Sequence, residues 1–252
     1  MSERKRVALV TGATAGIGAA IARALHADDF HVVATARRTD RLEALAAELG
    51  ERLLPCAFDV ADAAVVGALP GSLPEGWREV DLLVNNAGLA LGQDRAHEAA
   101  LADWEATLAV NAAGPMRLIH ALLPGMVERG RGRIVNIGSV AARYPYPGGN
   151  AYAASKAFVE VFTANLKADL IGSGVHSTTI APGLVGDTEF SEVRFGGDAS
   201  RARAVYDGLE HLVPDDVAEA VRWVASLPGH VNVNYLEIMP NCQAPGPLVF
   251  QR

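Results

Sequence analysis

Residues 7–25, "VALVTGATAGIGAAIARAL", decide the fold class because they join a short apolar run to a helical pattern through a glycine-rich turn. The apolar run up to Thr11 is typical of a buried strand, and the apolar residues after Gly18 have the three- and four-residue spacing of a helix. A strand that enters a helix through Gly12, Gly16 and Gly18 turns backbone N–H groups and the positive helix end toward an anion. The turn therefore predicts a pyrophosphate site, with a plain tight connection as the alternative.

Six further apolar runs continue this alternation along the chain. They are HVVATA (31–36), LLPCAF (53–58), DLLVNN (81–86), RIVNIGS (133–139), HSTTIAPG (176–183) and YLEIMP (235–240). Helical patterns lie between them, so the order predicts one α/β domain over residues 1–252. The expected architecture is a Rossmann fold, a doubly wound, seven-stranded parallel sheet with helices on both faces. Residues 183–213 break the pattern, and a connection of this length predicts a substrate lid.

Composition argues against several classes of function. The 252 residues carry a formal net charge of -7 with scattered basic residues, which argues against nucleic acid as a partner. The only cysteines, Cys56 and Cys242, are far apart, so we expect neither a disulfide framework nor a metal site. No apolar run of about 18 residues and no signal-peptide core occur, so we expect no membrane span and a cytoplasmic protein.

The second predicted strand ends in two arginines, Arg37 and Arg38. An NAD site has an acidic residue at about this point, which bonds the ribose 2′-hydroxyl. Guanidinium groups bind phosphate in a fork geometry, so the pair predicts a 2′-phosphate and therefore NADP as the cofactor. The alternative for either arginine is a solvated charge at a helix start. Asp59 ends the third strand, and the sequence leaves two roles open: acceptor for the adenine amino group, or N-cap of the next helix.

Tyr152 and Lys156 share one helix face in "GNAYAASKAFVEVF". A tyrosine that transfers protons near neutral pH needs its pKa lowered by about 3 units, and an ammonium group beneath the phenol favours that shift. Ser139 lies 13 residues before Tyr152, where its hydroxyl can hold a carbonyl oxygen of the substrate. The alternatives are an ordinary helix with a solvated lysine, and a turn or cap serine.

Asn111 lies inside the long helix predicted over residues 104–130. Gly114 and Pro115 follow it, and both residues disfavour an unbroken helix. A kink at this point would free a backbone carbonyl to hold a water beside Lys156 and so connect the site to solvent.

These motifs resemble the short-chain dehydrogenase/reductase family over nearly the whole chain. The matching residues are Gly12, Gly16 and Gly18 in TGATAGIG, Asn85, Asn86, Ala87 and Gly88 in NNAG, and Asn111, Ser139, Tyr152 and Lys156. The resemblance implies that Tyr152 is the acid or base and that Ser139 orients the carbonyl of the substrate. It also implies that Lys156 binds the ribose and tunes the phenol, while Asn111 holds the relay water.

The resemblance further implies a set of NADP contacts, with Asn86 beside the ribose and residues 182–190 against the nicotinamide end. The predicted contacts are Gly12, Ala13, Thr14, Ala15, Gly16, Ile17, Arg37, Arg38, Asp59, Val60, Asn86, Tyr152, Lys156, Pro182, Gly183, Leu184, Val185, Gly186, Asp187, Thr188, Glu189 and Phe190.

Five segments resemble the NADP-dependent 3-hydroxy acid dehydrogenase branch, which includes serine and allo-threonine dehydrogenases and malonic semialdehyde reductases. They are NNAGLALG, LPGMVERG, YPYPGGNAY, PGLVGDTEFSEVRFGGD and LPGHVNVNYLEIMP. The branch implies a small 3-hydroxy acid as substrate. Sulfoacetaldehyde reductase, 3-oxoacyl thioester reductase and a non-enzymatic dinucleotide-sensing regulator are the alternatives. The family also implies a homotetramer paired through the helices around residues 104–127 and 152–170.

Arg194 in "EFSEVRFGGD" is the predicted anchor for an anionic substrate. Its neighbours Val193 and Phe195 are apolar and can strengthen its hold on a carboxylate by excluding water. Arg201 and Arg203 lie in a more polar run and are interpreted as solvated helix charges. The alternative for Arg194 is an ion pair with Glu189 or Glu192 that only fixes the lid.

Overall fold

The computed structural model describes residues 4–246, and its centre is a seven-stranded parallel sheet. The strands are β1 (Arg6–Thr11), β2 (Phe30–Ala36), β3 (Leu53–Ala57), β4 (Val80–Asn85), β5 (Gly132–Ile137), β6 (Val175–Pro182) and β7 (Tyr235–Ile238). The helices are α1 (Gly16–Ala27), α2 (Thr39–Leu49), α3 (Ala63–Ser72), α4 (Leu101–Leu108), α5 (Gly114–Glu128), α6 (Asn150–Asp169), α7 (Phe190–Arg194), α8 (Ala199–Ala204) and α9 (Pro214–Ser226). Residues 1–3 and 247–252, which the predicted domain includes, lie outside the described residues.

The strand order is β3-β2-β1-β4-β5-β6-β7, and every neighbouring pair is parallel. The predicted seven strands and the doubly wound topology are therefore confirmed. The order reverses between β1 and β4, which pair directly. In open α/β sheets, ligands bind outside the carboxyl ends of the strands at such a reversal.

Two hydrophobic cores cover the two faces of the sheet, and β1 contributes to both. Ala8 and Val10 pack on the face that α1, α2 and α9 cover. Val7 and Leu9 point to the other face, against α3, α5 and the end of α6. Because successive strand residues point to opposite faces, the part of a strand that is buried on both sides is apolar, as β1 is from Val7 to Val10.

The long helix predicted over residues 104–130 is divided where the sequence predicted a kink. A π-helical turn, Ala109–Ala113, separates α4 from α5 and contains Asn111. Gly114 is buried at the start of α5, and a Cβ atom there would lie 3.0 Å from Val60 Cγ2. Single π-helical turns of this kind are frequent at functional sites. The predicted break in the regular α-helix is confirmed as a π-helical turn, and the relay water remains a prediction.

The segment 183–213, predicted as an irregular lid, contains the two short helices α7 and α8. Its two ends are held together, because Leu212 N–H donates to Leu184 O (3.0 Å) and Gly186 N–H donates to Leu212 O (2.8 Å). The two ends of the segment, after β6 and before α9, therefore meet at one neck. We call it the lid segment, and its movement remains a prediction.

Within residues 4–246, no helix is both long and apolar enough to cross a membrane. The same residues contain no group of three or more His, Cys, Asp or Glu side chains placed to hold a metal ion. Cys56 and Cys242 are both free thiols.

Candidate active site

A cleft of about 510 Å³ lies at the carboxyl ends of the strands, between the glycine turn and the lid segment. Its volume falls in the usual range for sites that hold small molecules and cofactors. Nearly all the predicted cofactor and catalytic residues line it. Asn111 is buried behind the lining, and Ala13, Gly186 and Asp187 also lie outside it. The cofactor contacts of all the predicted residues, inside the lining and outside it, remain a prediction.

The glycine turn closes tightly against Asn86. The Asn86 amide donates to Thr11 O (2.9 Å), and a Cβ atom on Gly18 would overlap both Gly12 O and the Asn86 amide. Gly12 has a φ of 68°, in the left-handed region that favours glycine. The glycines are therefore needed for the turn itself, and Asn86 fixes its position relative to β4.

Helix α1 begins at this turn with its first N–H groups open to an anion. Its N-cap residue is Ala15, which provides no side-chain acceptor, and its first turn contains no acidic residue. A helix start without a cap leaves several N–H groups unpaired, and these favour a phosphate. Across the cleft, Thr188 of the lid segment comes close to Gly16, where a Cβ atom would lie 3.0 Å from the Thr188 methyl carbon. The site therefore fits a pyrophosphate held between turn and lid.

Arg38 and Arg41 share one carboxylate, that of Glu189. Arg38 Nη2 lies 2.8 Å from Glu189 Oε2, and Arg41 Nη1 lies 2.6 Å from Glu189 Oε1. Arg38 Nη2 also donates to Thr14 Oγ1 of the glycine turn at 3.4 Å. Hydrogen bonds, first from Arg38 and then from Arg41, hold the pKa of Glu189 below its usual value. The sequence placed this residue in a segment against the nicotinamide end, whereas its carboxylate lies at the arginines.

Arg37 and Asp59 lie side by side at the ends of β2 and β3. Arg37 Nη1 is 3.9 Å from Asp59 Oδ2, and the arginine side chain is 70% exposed. Asp59 Oδ1 accepts from Ala61 N (2.9 Å) within its own turn. The N-cap of α3 is Asp62, which accepts from the first N–H groups of that helix. The cap role considered for Asp59 is therefore wrong, and its contact with adenine remains a prediction.

Tyr152 lies in the cleft with a pKa that differs from the sequence expectation. Burial raises the pKa of Tyr152 to about 12, and the nearby Ser139 hydroxyl and Arg194 only partly oppose this effect. Lys156 Nζ lies 5.9 Å from the centre of the phenol ring and donates to Ile137 O at 2.8 Å. Burial also lowers the pKa of Lys156 to about 8. The sequence predicts that Lys156 lowers the pKa of the phenol toward neutrality. The side chains of the protein alone do not have this effect.

Ser139 occupies the end of β5 and lines the cleft beside Tyr152. Its Oγ accepts a hydrogen bond from Ala141 N (3.1 Å) and so caps a short helical turn. The hydroxyl can still donate its own proton. The capping role and the proposed contact with substrate are therefore compatible.

Asn111 ties the segment after β4 to α6. Its Oδ1 accepts from Leu89 N (2.9 Å), and its Nδ2 donates to Leu89 O (2.8 Å) and to Ser155 Oγ (3.1 Å). A Cβ atom on Gly88 would lie 3.3 Å from Asn111 Oδ1 and 3.4 Å from Lys156 Nζ. The sequence analysis did not identify Leu89 and Ser155, because neither residue belongs to a motif that predicts a hydrogen bond with Asn111.

Arg194 is held in the cleft by neutral partners. It donates from Nη1 to Tyr146 OH (2.9 Å), from Nε to Gly92 O (3.3 Å) and from Nη2 to Gly148 O (3.3 Å). Its Cζ lies 5.8 Å from the centre of the Tyr152 ring. No carboxylate oxygen of residues 4–246 lies within 4 Å of the guanidinium, so the ion pair considered as an alternative is wrong. Tyr146 is a further residue that the sequence did not reveal.

Known proteins are similar to this chain in sequence and in fold. The family model described as short chain dehydrogenase matches residues 6–196. An NADP-dependent 3-hydroxy acid dehydrogenase of Salmonella typhi is 52% identical over 238 residues, 94% of this chain and 96% of its own length. A serine 3-dehydrogenase of Agrobacterium fabrum is 46% identical over 232 residues, 92% of each chain.

Among solved structures, the closed form of a serine dehydrogenase complexed with NADP+ is similar to this protein, with a TM-score of 0.94 and 50% sequence identity. The match covers 98% of this chain and 99% of the other. These similarities agree with the glycine turn and with the four predicted catalytic residues, which are Asn111, Ser139, Tyr152 and Lys156. The chain belongs to the short chain dehydrogenase family.

Proposed function

We propose that the protein is an NADP-dependent oxidoreductase that interconverts a small 3-hydroxy acid and the corresponding 3-oxo acid. Substrates of the serine, allo-threonine, 3-hydroxypropionate or 3-hydroxyisobutyrate type fit this class. The observation that carries the substrate class is Arg194, a guanidinium without a carboxylate partner in the described chain, close to Tyr152. The relatives named above support the same class.

The cleft residues divide the binding of NADP among them. The glycine turn and the open start of α1 take the pyrophosphate, and Arg37 and Arg38 take the 2′-phosphate. Lys156 and Asn86 would hold the second ribose. When bound, NADP accepts or supplies the hydride.

The proton is handled by the residues of the chain itself. Tyr152 donates its phenol proton to the substrate carbonyl oxygen in reduction and accepts the hydroxyl proton in oxidation. Ser139 holds the same oxygen by a hydrogen bond. Because burial raises the pKa of Tyr152 to about 12, the protonated phenol is the resting form and is ready to act as an acid. Lys156, with Asn111 behind it, carries the proton path toward solvent.

Arg194 provides the contact that distinguishes an acid from a neutral alcohol. Its three hydrogen bonds use three of the five N–H groups of the guanidinium, so two remain for a ligand. The carboxylate of a 3-hydroxy acid is two C–C bonds from the carbon that bears the hydroxyl, so one small molecule can reach both Tyr152 and Arg194. A sulfonate offers the same kind of oxygens, so a hydroxysulfonate is the second candidate.

A screen of substrates tests the proposed function. We expect NADP+ to be reduced with one or more C3 or C4 3-hydroxy acids, followed at the NADPH absorbance band, and NAD+ to serve poorly. Preference for a hydroxysulfonate would identify the second candidate. Activity confined to 3-oxoacyl thioesters would contradict the proposal. Dinucleotide binding without turnover on any of these compounds would instead favour a sensing regulator.

Arg194→Ala should raise the KM for 3-hydroxy acids about ten- to a hundredfold, because it removes a charge-assisted contact that the carboxylate makes in both ground and transition states. The KM for the methyl ester of the same acid should change little, because the ester has no carboxylate for Arg194 to bind. The measurement is kcat/KM for acid and ester in both enzymes. Arg201→Ala, a lid arginine outside the cleft, is the matched control. An equal fractional loss on acid and ester would mean that Arg194 only holds the lid.

We propose a homotetramer paired through α4, α5 and α6. Exposed apolar side chains on these helices support the proposal, because such side chains are usually covered by a partner. They are Leu101, Leu108, Met116, Val127, Phe158 and Val161. We expect the molar mass measured by sedimentation equilibrium to be four times that of one chain, and a monomer at micromolar concentration would contradict the proposal.

A further inference from the structure

The contact between Glu189 and the arginines joins two distant parts of the chain. Glu189 is the residue immediately before α7 in the lid segment, whereas Arg38 immediately precedes α2 and Arg41 lies in its first turn. Glu189 and Arg41 are 148 positions apart in sequence. Both carboxylate oxygens are used, one for each arginine. The contact therefore fixes the start of α7 to the body of the protein at the arginine end of the cleft.

The other end of α7 is held separately. Arg194, its last residue, bonds Tyr146 and the backbone of Gly92 and Gly148. The short helix is thus held at both of its ends. Thr188, next to Glu189, comes close to the glycine turn at Gly16. This part of the lid segment crosses the cleft over the region that fits a pyrophosphate.

Arg38 has donors for two anions at once. Its contacts with Glu189 and Thr14 both use Nη2, so Nε and Nη1 remain for a phosphate. Arg41 differs, because it does not line the cleft and its described contact is with Glu189. Two guanidinium charges and one carboxylate leave one net positive charge at the site. Glu189 can therefore stay in place when Arg38 binds a 2′-phosphate.

From this geometry we propose that Glu189 is a positioning residue that, with Arg38 and Arg41, latches the lid segment over a bound dinucleotide. We call these three residues the latch. Within the latch, Glu189 acts by holding α7 across the cleft and not by contacting the nucleotide itself, whereas Arg38 has donors for both Glu189 and the nucleotide. The inference rests on the proposed function only in taking the ligand to be a dinucleotide.

Glu189→Gln should weaken NADP+ and NAD+ alike, raising each Kd about three- to tenfold in isothermal titration calorimetry, because two exposed ion pairs are lost. Adenosine 2′,5′-bisphosphate, which fills only the adenosine end, should bind with a Kd within about twofold of wild type. Trypsin should cut the NADP+-saturated variant faster at Arg201 and Arg203. Arg41→Gln removes one of the two ion pairs and should give the same pattern with a smaller loss of affinity, and the double variant should lose no more affinity than Glu189→Gln alone.

Glu192→Gln is the matched control, since Glu192 lies on α7 and forms no ion pair within residues 4–246. It should behave as wild type in all three measurements. Equal weakening of the bisphosphate and NADP+ would overturn the proposal, because Glu189 would then only shape the phosphate site. The proposal would also be overturned if the losses of affinity in the double variant were additive. Tighter binding of NADP+ by Glu189→Gln, or an unchanged Kd, would overturn it as well. If the wild-type protein binds NAD+ as tightly as NADP+, the proposed cofactor preference is wrong. The comparison of the whole dinucleotide with the bisphosphate would still show whether the latch holds the lid segment.

Discussion

Tyr152→Phe should lower kcat by about a thousandfold or more and leave the Kd for NADPH within about twofold. The substitution removes the one proton that the phenol can transfer, and general acid catalysis contributes a factor of about 10² to 10⁴. The ring itself is retained, together with its contact to Phe190, whose ring centre lies 5.4 Å away. Steady-state kinetics with the preferred substrate, beside calorimetric binding of NADPH, measures the two quantities.

The pH dependence adds a signature that a merely structural loss would not give. Oxidation needs the deprotonated phenol, so in the wild type kcat for oxidation should rise with pH toward the pKa of Tyr152, which burial raises. Reduction needs the protonated phenol and should not gain from alkaline pH. The residual activity of the Phe variant should lack this rise. Tyr235→Phe, which changes a phenol outside the cleft, is the control, and retained turnover in Tyr152→Phe would remove Tyr152 from its proposed role.

The sheet and the glycine turn could be predicted because their signals are local. Each strand is a short apolar run ended by a turn residue, and Gly12, Gly16 and Gly18 follow β1 directly. The break at Asn111 was also local, since Gly114 and Pro115 stand beside it. Helix α3 gives a weaker signal, because it contains Gly67 and Pro70.

Contacts between distant segments could not be predicted in the same way. The lid segment that contains Glu189 also contains three arginines, Arg194, Arg201 and Arg203. The sequence does not give the position of more distant charges relative to Glu189, so no local rule selects Arg38 and Arg41 as its partners. The N-cap of α3 shows a smaller form of the same problem. Asp59 and Asp62 are both suitable caps, and only the helix start decides between them.

The environment of Tyr152 shows why a charge pattern does not fix a pKa. The spacing of four residues placed Lys156 on the same helix face, but the lysine reaches past the phenol to Ile137 O. Burial then acts on both groups, and it raises the pKa of the phenol while it lowers the pKa of the ammonium. The burial of Tyr152 and Lys156 depends on the lid segment, β5 and α6 together, so it cannot be predicted from the sequence of α6 alone.

Replacing both Arg37 and Arg38 with alanine should raise the Kd for NADP+ about a hundredfold or more and change the Kd for NAD+ by less than about threefold. Each charge-assisted contact with a phosphate contributes about 1.5 to 3 kcal/mol, and a hundredfold change corresponds to about 2.7 kcal/mol. Arg38 should account for the larger share, because Arg37 is 70% exposed and points toward Asp59. Calorimetric titration of both cofactors into both proteins measures the change.

The latch makes a second control necessary for this prediction. Without Arg38, Glu189 keeps only Arg41, so part of any loss could come from the lid segment and not from the phosphate. Arg41→Gln separates the two effects, because it disturbs Glu189 without removing a cation from the lining of the cleft. Arg41→Gln should lose little affinity, and equally for NADP+ and NAD+. The double alanine variant should lose affinity mainly for NADP+, and this loss should be smaller at high salt. If the double variant bound NAD+ as much more weakly as it bound NADP+, Arg37 and Arg38 would not recognise the 2′-phosphate, and their positive charge at the end of the cleft would serve the lid segment alone.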